Sequence, residues 1–297
     1  MYQEFFQLEA LPFSLTPNTN FFCQLKGHQE ALNILKFCIR GGEGFIKIIG
    51  EVGSGKTLLC RKLLESLGKE YITAYIPNPD LSPIELRKAV ARELGLDPNQ
   101  LHDQHELLNA LNQHLIHLHK IGNKIILIID EAQALSDESL ETVRLLTNLE
   151  TENSKLIQVV LFGQPELDER LNKSHLRQLK QRITFSYSLP LLSRDDLDTY
   201  LYHRLAVAGY TQGTLFTKKA RKILYHASQG VPRVINILSH KALLVAYGKG
   251  EKQIDHKSMR LAIKDSKIKY SKMRIFIFGI SIILITTIFL LALLFYF

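Results

Sequence analysis

Residues 45–67 constrain this chain more than any other stretch. Phe45-Ile46-Lys47-Ile48-Ile49 reads as a short buried strand. Gly50-Glu51-Val52-Gly53-Ser54-Gly55-Lys56-Thr57 follows at once, and Thr57 to Leu67 reads as a helix. The octet fits G-x-x-x-x-G-K-[ST], the phosphate-binding loop, in the strand–loop–helix setting that the pattern needs. Gly50, Gly53 and Gly55 let the backbone approach a phosphate and take φ values that a Cβ forbids. Amides at the helix start then point at the anion, and the helix dipole favours its charge. Lys56 would neutralise β and γ phosphates, and Thr57 would place a hydroxyl on Mg²⁺. A Gly-rich turn with a chance lysine does not come with both flanks.

A second segment points the same way. Lys124-Ile125-Ile126-Leu127-Ile128-Ile129 is a continuous apolar run with β-branched bias, suited to a strand buried on both faces of a parallel sheet. It ends in Asp130-Glu131, at the strand end where α/β sheets place ligands. Asp130 would hold Mg²⁺ through water, as a Walker-B aspartate does. Glu131 would point differently and polarise an attacking water. The bland alternative is a pair of solvated acids capping the next helix.

The 297 residues hold one large or two modest domains. Cys23, Cys38 and Cys60 are few, odd in number and not in C-x-x-C pairs, which speaks against a disulfide scaffold and for a reducing compartment. The start, Met1-Tyr2-Gln3-Glu4, lacks the positive charge of a signal peptide. At the other end, Ile275 to Phe297 is uncharged and rich in Ile, Leu and Phe. At ~1.5 Å per residue such a run spans roughly 34 Å, enough for a hydrocarbon core. Lys264, Lys267, Lys269, Lys272 and Arg274 precede it, and a basic flank stays cytoplasmic. The expectation is a single-pass protein of the bacterial inner membrane with its N-terminal part in the cytoplasm. Nine basic against three acidic residues lie between Lys249 and Arg274, so six of the eight net positive charges sit at this collar, where anionic lipid attracts them. Little basicity is left for nucleic acid elsewhere.

Along the chain, residues 1–27 form an aromatic- and proline-rich arm without a persistent period. Strand patterns near 45–49, 71–76, 124–129, 156–162 and 183–188 alternate with helices near 28–40, 57–67, 82–94, 104–120 and 137–149. That alternation predicts a doubly wound parallel sheet over 28–190. Ser82-Pro83-Ile84-Glu85 looks like a capping box. After Pro190 only helical patterns remain, near 194–208, 218–228, 232–248 and 255–267, with Ser193 and Thr217 as N-caps and a break at Gly230. A small all-helical domain over 191–270 is expected, then the membrane helix at 275–297. His102, His105, His114, His117 and His119 lie on a polar helical region without a matched ligand set, so a metal site there is not expected.

The nucleotide loop, Asp130-Glu131, a sheet and a helical lid together resemble an AAA+ ATPase. Phe162-Gly163-Gln164-Pro165-Glu166-Leu167 follows the fourth strand, where such proteins carry the sensor-1 residue. Gln178-Leu179-Lys180-Gln181-Arg182 runs into the fifth, where an arginine finger usually sits. Gly230-Val231-Pro232-Arg233-Val234-Ile235-Asn236 looks like a sensor-2 motif. The opening, Met1-Tyr2 with Phe5-Phe6 and Pro12-Phe13-Ser14-Leu15-Thr16-Pro17, is similar to that of the ExeA/GspA (general secretion pathway A) and MshM group. So are the Gly-Glu-Val-Gly-Ser-Gly-Lys-Thr loop and Asp130-Glu131-Ala132-Gln133-Ala134-Leu135. These are AAA+ ATPases of type II secretion and of MSHA-type (type IV) pilus biogenesis. The resemblance covers residues 1–270.

It implies ATP and Mg²⁺ as ligands, ATP hydrolysis, a homo-oligomer and partners in an inner-membrane secretion or pilus assembly machine. Gln164 would align water or sense the γ-phosphate. Arg182, with Arg177 as second choice, would reach a neighbour's γ-phosphate, and Arg233 would reach the nucleotide from the lid. Each arginine also has an ordinary reading as a surface ion-pair partner, and Gln164 as a turn amide. The N-terminal aromatics would cradle adenine, form a partner surface or pack on the sheet. Secretion members of the group continue into a peptidoglycan-binding domain that this sequence does not show, so the shorter pilus-type relatives are the expected match. Two other classes stay open: a nucleotide-gated scaffold with little turnover, and a DNA-handling ATPase, which the charge map disfavours.

Overall fold

The computed structural model describes residues 2–98, 104–150 and 155–266. One sheet is formed by β1 (Phe45–Ile49), β2 (Tyr71–Ile76), β3 (Lys124–Ile129), β4 (Ile157–Gly163) and β5 (Phe185–Ser188). All neighbours pair parallel, in the order β2-β3-β4-β1-β5. The five expected strands are all there; β4 starts one residue late and β5 two.

Period-2 alternation sends the strand side chains into two separate cores. Phe45, Ile49, Ile125, Leu127, Ile129, Val159 and Leu161 face one side. There they meet α4 (Pro83–Glu93), α5 (Gln104–Lys120), α6 (Asp137–Leu146), α7 (Pro165–Leu171) and α8 (Arg177–Arg182). Ile46, Ile48, Ile126, Ile128, Val160 and Phe162 face the other, under α2 (Lys26–Arg40) and α3 (Lys56–Ser66). Both faces are covered, which is why the strands read as unbroken apolar runs. Lys47 is the exception inside β1, and it pairs with Asp168 of α7.

The capping box at Ser82 is formed, with Pro83 at the first turn of α4. His114 of α5 bonds the Leu94 carbonyl at 2.9 Å. Sequence patterning did not resolve α7, a helix of 7 residues. It is too short for a 3.6-residue period to emerge, although Pro165 is a fair start signal.

Beyond Leu189 come α9 (Arg194–Val207), α10 (Lys218–Ser228), α11 (Pro232–Gly248) and α12 (His256–Asp265). Ser193 and Thr217 cap α9 and α10 as expected. Gly230 has φ +76, and a Cβ there would lie 2.2 Å from the Leu192 carbonyl oxygen, so no other residue fits this turn.

The arm corrects the expectation. It starts with a helix, α1 (Tyr2–Phe6), and most of its aromatics pack on the helical lid, while Phe22 alone among them joins the sheet core under α2 and α3. Tyr2 bonds His240 at 2.9 Å, Phe5 meets Tyr247 edge-on and Phe13 meets Phe216. Arg204 of α9, 5 % exposed, donates to the carbonyls of Pro12 and Ser14 and lies over the Phe21 ring. The arm thus completes a lid core that α9–α12 alone leave open. The apolar run 275–297 lies outside the described residues. Among those described, no helix is long and apolar enough to cross a membrane.

Candidate nucleotide site

The loop after β1 runs straight into α3. Gly53 and Gly55 take φ +79 and +103, the left-handed values for which glycine is needed. The start of α3 has no side-chain cap. Ser54 is fully buried and its Oγ has no partner. Lys56 Nζ donates to the carbonyls of Gly50 (2.8 Å) and Glu51 (3.1 Å). Burial holds the Lys56 ammonium below its usual pKa, against the pull of Glu131, Asp130, Glu51 and Glu166. An uncapped helix start, a buried orphan hydroxyl and a buried ammonium make a cradle that fits a polyphosphate.

The strand order brings the two acids to this cradle. β4 lies between β1 and β3, and the strands end nearly flush, with Ile49 opposite Gly163 and Ile129 opposite Leu161. Asp130, 2 % exposed, accepts from the Thr57 hydroxyl and from the Glu131 amide at 2.9 Å. Burial raises its pKa, and those two donors oppose the rise. A desolvated carboxylate joined to a threonine hydroxyl is the donor set a hard divalent cation takes.

Glu131 turns away, its backbone left-handed at φ +52. Its Oε2 accepts two amides: Gln133 Nε2 at 2.5 Å and Gln164 Nε2 at 2.8 Å. Burial is the largest single influence on the Glu131 pKa and raises it. The two amides with Lys56 outweigh that, and the carboxyl ends below its usual value. Gln164 is therefore more than a turn amide, since its side chain spans from β4 to the acid after β3.

A cavity of about 330 Å³ lies over the loop. Val52, Gly53, Gly55, Lys56, Thr57 and Glu131 form its floor, with Tyr200, Pro232, Arg233 and Asn236 of the lid and residues 14–18 of the arm as walls. Gly50, Glu51 and Ser54 are not part of this lining. The Arg233 amide donates to the Gly53 carbonyl at 3.2 Å, tying α11 to the loop. Arg177 and Arg182 do not line the cavity. Arg177 is exposed, and Arg182 donates to the Thr147 hydroxyl at 3.2 Å.

Three residues escaped the sequence reading. Gln133 needed knowledge of where its side chain points. His28, near the start of α2, donates to the Ser54 carbonyl at 3.0 Å. Arg170 donates to the carbonyls of Gln133 and Leu135 and to Asp137, clamping the turn after Glu131.

Residues 39–171 match the family described as AAA domain. This chain is an AAA-domain relative of general secretion pathway protein A. It is 42% identical over 262 residues to that protein from Aeromonas hydrophila, a match covering 88% of this chain and 48% of the relative. The chain thus spans about half the relative's length.

Among solved structures, CDC6P from Pyrobaculum aerophilum superposes with TM-score 0.66 at 19% identity, over 86% of this chain and 70% of that one. The Aeropyrum pernix ORC2 protein gives TM-score 0.65 at 16% identity over 87% and 72%. The Thermotoga maritima RuvB branch migration motor gives 0.55 at 13% over 85% and 72%. At these identities the likeness speaks for the fold alone: a parallel α/β phosphate-loop domain with a helical lid.

Proposed function

We propose that this chain binds ATP with Mg²⁺ in the cavity over residues 50–57 and hydrolyses it, as the cytoplasmic motor of an inner-membrane secretion or pilus assembly machine. The observation that carries the reading is the joined pair of Thr57 and Asp130 beside an acid, Glu131, held for a different task. When bound, Mg²⁺ supplies a positive centre that balances phosphate charge. Loop amides and Lys56 orient the triphosphate, and Thr57 and Asp130 hold the metal. Glu131 takes a proton from water as its oxygen bonds the γ-phosphorus and the bond to the bridging oxygen breaks. Gln164 aligns that water, and Arg233 reaches the phosphates from α11. Arg182 or Arg177 serves the site of a neighbouring copy in a homo-oligomer.

The kinship with the secretion relative supports the machine. The run 275–297 and its basic flank, drawn to anionic lipid, support a single-pass anchor. Steady-state phosphate release by the full chain tests the chemistry. Lys56→Ala should lose ATP binding and turnover. Glu131→Gln should keep ATP binding and stall hydrolysis. Normal turnover by Glu131→Gln would remove it as base.

A further inference from the structure

The turn behind the acid pair holds one polar side chain that the chemistry above does not use. Glu131 is the N-cap residue of a 3-10 turn, Ala132–Ala134, and Gln133 lies in the middle of it. Gln133 makes two contacts at once. Its Nε2 donates to Glu131 Oε2 at 2.5 Å, and its Oε1 accepts the backbone amide of Gln164 at 3.1 Å. The Gln164 side chain closes the figure by donating to the same Glu131 oxygen at 2.8 Å. A ring of three residues thus joins the end of β3 to the end of β4. One Glu131 oxygen is saturated by two donors, which leaves the other to a water.

The ring is braced from outside. Arg170 of α7 donates to the Gln133 carbonyl at 2.8 Å and to the Leu135 carbonyl at 2.5 Å, so the turn cannot rotate without releasing α7. Its guanidinium is held in turn by Asp137, at the start of α6. Glu131 needs such support. A residue with a Cβ in the left-handed region is held there by its surroundings.

We infer that Gln133 is a positioning residue for hydrolysis: it sets the Glu131 carboxylate against Gln164 so that one free oxygen meets the attacking water. Gln133 does not line the cavity. It acts on turnover, through Glu131, and not on ATP affinity. The inference rests on Glu131 being the base.

The test is steady-state ATP hydrolysis by the full chain carrying Gln133→Leu, which keeps the side-chain bulk and removes both polar contacts. A positioned base supplies roughly 10²–10⁴ in rate, and loosening it forfeits part of that. The expected result is a kcat about tenfold or more lower with KM for ATP within about twofold of the parent. Gln133→Asn, which keeps the amide on a shorter stem, should recover part of the loss.

The decisive arm is the double variant. In a Glu131→Gln background, Gln133→Leu should cost nothing further, because residues acting as one unit are not additive. A kcat within twofold of the parent, a kcat above it, a matching rise in KM, or the same fractional loss in both backgrounds each overturns the inference. So does loss of folding in both Gln133→Leu and Gln133→Asn, read by thermal melting, since that marks a purely structural side chain. If Glu131→Gln alone turns over normally, the base assignment has failed first. If Glu131→Gln is stalled and Gln133→Leu is not impaired, this inference alone has failed.

Discussion

Two glycines with the same backbone angle separate what the loop needs from what the lid adds. Gly42 and Gly53 both have φ +79, but a Cβ on Gly42 would meet nothing within 4 Å. On Gly53 it would lie 2.7 Å from Arg233 Cβ and 3.3 Å from Val231 Cγ1. The left-handed conformation costs a residue with a Cβ ~1–2 kcal/mol. Stiffening the unfolded chain returns ~0.4–1 kcal/mol of that. Gly42→Ala should therefore destabilise by about 1 kcal/mol. Gly53→Ala carries the same penalty plus overpacking of ~1–3 kcal/mol, for a total of about 2–4 kcal/mol.

Relief of that contact requires α11 to withdraw, which breaks the bond from the Arg233 amide to the Gly53 carbonyl. Gly53→Ala should then also weaken ATP binding, whereas Gly42→Ala should not. Urea melts of the two variants give the stability difference, and calorimetric ATP titration gives the affinity. Equal losses in both measurements would refute the claim that Gly53 is the seat of the core–lid contact.

Three further perturbations follow from buried or paired groups. Burial is the main reason the His28 pKa is lowered, against the Ser54 carbonyl and Asp196, so the folded chain prefers neutral His28. Its contribution is present above the unfolded pKa of about 6.5 and fades as pH falls through the lower folded value. His28→Gln should flatten that acid window relative to the parent, as seen in melts across pH 5–7.5, while His203 and His240 contribute equally to both proteins. Asp137 is held down to about 2, first by hydrogen bonds from Arg170 and then by His175. Its gain is full above the unfolded value of about 3.9 and lost as pH drops towards 2; because the site is largely solvated, Asp137→Asn should cost about 1 kcal/mol or less at pH 6 and nothing near pH 2. Arg204→Met should release the arm, making residues 1–18 a protease-sensitive tail and weakening ATP binding through loss of the 14–18 wall, with Arg204→Lys failing to rescue because a single ammonium cannot replace the forked donor.

The chemistry of the phosphate loop was legible because backbone amides, glycines and one lysine do their work within a few residues of each other. The same holds for the caps at Ser82, Ser193 and Thr217, and for the strands, whose burial on both faces leaves an unbroken apolar signature. Local sequence determined each of those parts. It did not determine their assembly. Parallel strands are joined by long crossovers, so nothing near Lys124 in the chain says that β4 will slot between β1 and β3. That insertion alone brings Gln164 to Glu131 across 33 positions. The same limit hid Gln133, whose Oε1 takes a backbone amide from another strand end, and the arm, whose aromatics had no period to betray that their partners are His240, Phe216 and Tyr247. Propensity and capping act over one or two turns of chain, whereas a reaction site is a set of directions in space, and only the packed sheet and lid supply those.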